Sequence, residues 1–143
     1  MERKTFLKNC GLACFSATLL SSLLDSCSGS KIISGKIENS NLLVPVTSFL
    51  LSNNSFRKYV IASPEELKYP ICIYRFSESE YTALLMRCTH QGTELEVFGD
   101  RLECPAHGSE FNDRGVVMDG PAETNLRTFP VTIQRNQLYI SLK

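Results

Sequence analysis

The sequence predicts an all-β fold: an antiparallel β-sandwich or barrel, with a small subdomain of two hairpin loops at one end. Two observations carry this. Residues 31–142 break into many short runs rich in Val, Ile, Leu, Tyr and Phe. Gly, Asn, Asp, Ser and Pro punctuate those runs at short intervals, as turns require. A chain of 143 residues makes one domain and at most a short tail. Its formal net charge of +0 implies no nucleic-acid or acidic-surface partner.

The first 30 residues stand apart. Arg3, Lys4 and Lys8 form a basic head, followed by a charge-free stretch over 9–24 that Gly11, Thr18 and several serines dilute. A basic head, an apolar middle and a small-residue region are the layout of an export signal, a signal helix. The apolar part is shorter than the roughly 18 residues of a membrane span. Arg3-Lys4-Thr5-Phe6-Leu7-Lys8 resembles a twin-arginine address, with Lys4 in place of the second arginine. The ordinary secretory route stays open. Leu24-Asp25-Ser26-Cys27 resembles a bacterial lipoprotein cleavage box, although Asp25 departs from the usual small or apolar residue. Residues 1–30 therefore read as an export signal or lipoprotein-type tether, and 31–143 as the domain. The expected location is the periplasmic side of a bacterial membrane, held by a signal anchor or by lipid on Cys27.

Within the domain, residues 31–38 read as a first short strand, and 39–41 as a turn. Residues 42–46 read as a strand that Pro45 confines to an edge or an end. Residues 49–51 start another, and 57–62 follow as a strand. Ser63-Pro64 carries a helix-start signature, worth a turn or two. Residues 71–76 are β-rich, with Cys72 packing as a small apolar residue. The strand over 81–87 delivers the chain to Cys88. Residues 95–98 and 101–103 form a hairpin around Gly99-Asp100, and 111–112 pairs with 116–118 around a turn at 113–115. Gly120-Pro121-Ala122 is a further loop. Residues 128–134 and 137–142 are the last two strands.

Chemistry concentrates between Cys88 and Phe111. Cys88-Thr89-His90-Gln91-Gly92 is followed, after residues 93–103, by Cys104-Pro105-Ala106-His107-Gly108-Ser109. Each loop carries one cysteine and one histidine, and the chain's 2 histidines are both here. Cysteine and histidine are ligands for iron and zinc. Glycines soon after each histidine let the backbone approach a bound group. The 6 cysteines do not form a disulfide framework: Cys10, Cys14 and Cys27 lie in the tail, and Cys72 has no evident partner.

This pattern resembles the Rieske [2Fe–2S] family, over roughly residues 40–143 and most sharply over 86–122. The resemblance implies one [2Fe–2S] cluster, with Cys88 and Cys104 on one iron and His90 and His107 on the other. It implies one-electron transfer, with electrons leaving through the outward imidazoles. Ser109 matches a serine whose hydroxyl donates to a bridging sulfide. Phe111 stands where high-potential members carry a tyrosine, and Thr93 and Ala106 stand where quinol-oxidising members carry a bracing disulfide. The implied potential is lower than that of the braced members. Gly120-Pro121-Ala122 lies where the family has a proline loop over the cluster.

Several functions stay open on these residues. The leading one is an exported, membrane-tethered carrier or oxidoreductase subunit, with a haem or metal protein as partner and a quinol as a candidate donor. A ferredoxin component feeding a Rieske oxygenase is the alternative. A structural Cys₂His₂ zinc module is a third, although its usual spacing pairs cysteine with cysteine. An oxygenase's mononuclear iron site needs two further histidines, which these 143 residues do not supply.

Overall fold

The computed structural model describes residues 29–143. The expected signal helix, the Cys27 box and the tail cysteines lie outside the described residues. Strands β1 to β13 run, in order, Ile32–Ile33, Lys36–Glu38, Asn41–Pro45, Tyr59–Ala62, Ile71–Arg75, Tyr81–Leu85, Glu96–Phe98, Arg101–Glu103, Glu110–Asn112, Val117–Asp119, Thr128–Phe129, Val131–Gln134 and Gln137–Ser141.

They form three sheets, ordered β1-β4-β5-β6-β11, β12-β13-β3-β2 and β10-β9-β8-β7. Pairing is antiparallel except for β1 with β4. The five-stranded sheet is the middle layer, and β5 shows why. Its Ile71 and Ile73 pack with Leu42, Val44, Leu138 and Ile140 of one outer sheet. Its Cys72 and Tyr74 pack with Leu102, Phe111, Cys88 and Cys104 on the other side. Alternate side chains of a strand point to opposite faces, so a strand covered twice must be apolar at every position. Burying each isoleucine contributes about 1.5–3 kcal/mol. The expected role of Cys72 as a buried packing residue holds.

Four local expectations change. Residues 31–38 form two strands, β1 and β2, in different sheets, with positive φ at Gly35 between them. Residues 49–51 do not start a strand: Val46–Phe49 is a 3₁₀ turn, and Leu50 meets Phe56 in a single bridge. The Ser63-Pro64 signature yields no helix. One turn closes there, with Leu67 N–H donating to Pro64 O at 3.2 Å, because only eight residues separate β4 from β5 and their register is already set. Finally, Pro130 splits 128–134 into β11 and β12, which join different sheets. Pro45 ends β3, as expected.

Candidate metal centre

Both cysteine–histidine loops are six-residue connections between paired residues. Arg87 pairs with Glu94 beneath loop 88–93, and Glu103 pairs with Glu110 beneath loop 104–109. The hairpin β7–β8 joins the two and fixes their separation. Inside each loop the same two backbone bonds recur. Cys88 N–H donates to Thr93 O at 2.8 Å, and Gly92 N–H donates to Cys88 O at 2.8 Å. Cys104 N–H donates to Ser109 O at 2.8 Å, and Gly108 N–H donates to Cys104 O at 2.9 Å.

These loops bring the four donors together in two pairs. The cysteines are buried in one core cluster and unbonded to each other, and the Cys88 thiol is among the groups that lower the Cys104 thiol. The histidines are exposed, with ring centroids 5.1 Å apart and planes at 85°. Among the described residues, no three His, Cys, Asp or Glu side chains gather around one point. The split is two sulfurs within and two imidazoles without.

Burial pushes the Cys104 thiol up, but the donors around it outweigh burial and leave it below its ordinary value. Those donors are the backbone N–H groups of His107 and Ala106, with the Cys88 thiol and Thr93 hydroxyl adding smaller contributions. A site that stabilises a thiolate in this way fits a metal ligand. Cys72 is the contrast: burial drives its thiol well above the usual range.

Ser109 is fully buried, and its Oγ accepts the Ala122 N–H at 3.0 Å. Its own proton remains free to donate. Phe111 is fully buried and offers no hydroxyl. The Gly120-Pro121-Ala122 loop does sit against the ligand loops. Sequence reasoning missed three contacts there. The Thr89 hydroxyl donates to Thr124 O at 2.7 Å, and the Tyr69 hydroxyl donates to Gly92 O at 2.8 Å. Ala122 is the partner of Ser109. A threonine inside a ligand loop was a usable signal; Tyr69, far away in sequence, offered none. Beside His90 opens a cleft of about 520 Å³, walled by Thr89, Pro121, Glu123 and Thr124.

The Rieske [2Fe-2S] domain family matches residues 50–130, and the chain belongs to that family. Among curated relatives, the oxygenase component of dicamba O-demethylase from Stenotrophomonas maltophilia is 33% identical over 100 residues, 56% of this chain and 29% of its own length. Ferredoxin CarAc of Metapseudomonas resinovorans is 32% identical over 76 residues, 50% of this chain and 70% of its own. The chain thus spans under a third of the oxygenase component. Among solved structures, the plasma membrane Rieske protein PetC3 of Synechocystis PCC 6803 superposes with a TM-score of 0.51 at 23% identity, covering 59% of this chain and 86% of that one. The fold is that of a Rieske protein, and a Rieske domain implies a [2Fe–2S] cluster and electron transfer.

Proposed function

We propose that this protein is a one-electron carrier, exported and tethered on the periplasmic side of a bacterial membrane, that serves as a subunit or partner of an oxidoreductase. One observation carries the electron-transfer part: two thiols lie buried in one core cluster while two imidazoles meet at the surface. In this reading Cys88 and Cys104 hold one iron and His90 and His107 the other. The cluster, when bound, supplies a one-electron couple whose potential exceeds that of an all-cysteine cluster.

The chain's own residues do the rest. The Ala106 and His107 N–H groups steady the Cys104 thiolate. The buried Ser109 hydroxyl has its proton available for an acceptor beside it. His90 and His107 present the shortest route between the site and a partner, and the cleft beside His90 gives a haem or metal protein, or a quinol donor, a place to approach. The basic head, the apolar stretch and the Cys27 box support the tether.

Metal analysis and electron paramagnetic resonance of the dithionite-reduced protein test the site. Iron with acid-labile sulfide and a reduced-cluster signal are expected; stoichiometric zinc with no signal rejects the reading. Intact mass of the membrane-extracted protein tests the tether, which expects an acyl-modified Cys27 at the mature start. An unmodified start rejects lipid anchoring.

A second reading is a ferredoxin component that feeds a Rieske oxygenase. Thr93 and Ala106 favour it, since neither can form a bracing disulfide, and so does the identity to ferredoxin CarAc. Its discriminating assay is electron delivery to an oxygenase compared with delivery to a haem protein.

A further inference from the structure

The chain enters the domain beside a patch of exposed apolar side chains. Arg57 Nη1 donates to Gly29 O at 3.3 Å, and Ser30 Oγ lies 2.9 Å from the Tyr59 hydroxyl. Ile61 N–H donates to Lys31 O at 2.9 Å, and β1 carries on the pairing with β4. The entry point is thus fixed on the edge of the five-stranded sheet. Ser30 walls two neighbouring hollows. One, of about 440 Å³, lies between β1 and β7, lined by Ile32 and Phe98. The other, of about 360 Å³, is lined by Phe56, Arg57, Lys58 and Gly99 of the β7–β8 turn. Ile32, Phe98 and Phe56 are 67%, 49% and 43% exposed. Large apolar side chains left in water together mark an interaction surface.

The reach of the tether says what covers this surface. Ser30 is three residues from Cys27, so a lipid on Cys27 holds Ser30 within about 10 Å of the headgroups. From Leu24, where the charge-free stretch ends, the limit is about 20 Å. Apolar groups on an interfacial surface sink about 5–10 Å into the headgroup boundary, well within either reach. Charge agrees with that occupant. Lys31 follows Ser30, and Arg57 and Lys58 line the second hollow, with Asp100 pairing to Lys58 at 3.8 Å. Basic side chains favour anionic headgroups. The acidic Glu94 and Glu96 line the first hollow on the side of the ligand loops. Those loops close at the far end of the hairpin from its Gly99-Asp100 turn. Four residues of extended chain, about 13 Å, separate Phe98 from Glu94 at the foot of the first loop.

We propose that the face around Ser30, with Ile32, Phe56 and Phe98, rests on the bilayer that holds the tether. Docked so, the β7–β8 turn points to the lipid and the ligand loops point to the aqueous side. His90 and His107 then meet a partner that stands above the membrane, a haem or metal protein, and lie out of reach of a quinol dissolved among the acyl chains. The inference rests on the tether reading above.

The chain has no tryptophan, so a single introduced one reports on one position. The full chain, extracted from membranes with its anchor, is placed in vesicles of phosphatidylcholine and phosphatidylglycerol, with brominated or unbrominated acyl chains. Phe98→Trp and Ile32→Trp put the reporter on the proposed face. Met118→Trp puts it on β10, the opposite edge of the cluster sheet, where Met118 is also exposed. Tryptophan is at home in the headgroup layer, so the first two variants suit the docked state. Their emission should move to shorter wavelength on vesicles, and brominated chains should quench it severalfold more than that of Met118→Trp. Equal quenching of Phe98→Trp and Met118→Trp, or none of either, in protein that floats with the vesicles overturns the docked face and leaves the tether standing. A blue-shifted Phe98→Trp that brominated chains do not quench assigns the face to a second copy of this chain, and overturns the docked face too. Protein that fails to float with the vesicles overturns the tether and the docked face together.

Discussion

Gly92 and Gly108 hold the same place in two different loops. Each lies four residues after a cysteine and donates its N–H to that cysteine's carbonyl, at 2.8 and 2.9 Å. Their φ values are +78° and +79°. The two loops thus share one backbone turn, and in each it carries the chain past the histidine and back beneath it. Positive φ is nearly free for glycine and strained for other residues.

The pair gives a graded prediction. Alanine at either position should destabilise the cluster-free protein by more than about 1 kcal/mol, since an alanine at positive φ is strained. Gly92→Ala should cost more. Its new Cβ would stand 3.2 Å from Arg87 Nε and 3.3 Å from Nη2, whereas nothing lies within 4 Å of the one at Gly108. Arg87 sits over the Tyr69 ring, and Tyr69 holds Gly92 O, so displacing Arg87 disturbs that anchor too. Urea unfolding of both variants checks the order. Equal losses would show that φ alone matters and that Arg87 yields freely.

Much of this is legible in the amino-acid sequence. The loop ligands stood out because a metal site draws cysteine and histidine into short turns, and turns are local. The hairpin at Gly99-Asp100 was legible for the same reason: Gly99 takes a φ of +64° directly between paired Phe98 and Arg101. What local sequence did not carry was partner choice. Residues 128–134 read as one strand, yet Phe129 pairs with Ala83 and Val131 with Ile140 in another sheet. Ser63-Pro64 had a helix start with no room for a helix. The Thr89–Thr124 and Tyr69–Gly92 contacts span 35 and 23 residues. Only assembly of the three layers brings such groups together.

Ser109 offers a measurable effect on potential. Its oxygen already accepts Ala122 N–H, so its proton can go only to another acceptor, and the cluster side is where one would lie. A hydrogen bond that strengthens on reduction stabilises the reduced form and raises the potential. Removing about 1 kcal/mol of such stabilisation lowers a one-electron potential by about 40 mV. Ser109→Ala should therefore shift the midpoint downward by roughly that amount. A protein-film voltammogram that leaves it unmoved rejects the bond.

Cys72 makes stability sensitive to alkali. It lies on β5 beneath the ligand loops, wholly buried, and burial raises its thiol above the ordinary 9.0. Burial also raises the neighbouring Tyr74 phenol above its ordinary 10.0. The folded state keeps these protons where the unfolded state releases them. Below about pH 9 both states hold them and stability is full; above it the unfolded chain binds fewer protons, and stability falls as pH rises. Urea unfolding of the cluster-free protein at about pH 7.5 and about pH 10.5 should show that loss. Cys72→Ala, though weaker overall because it leaves a small cavity, should lose less between the two pH values. An equal loss in both proteins would mean that the Cys72 thiol titrates alike folded and unfolded.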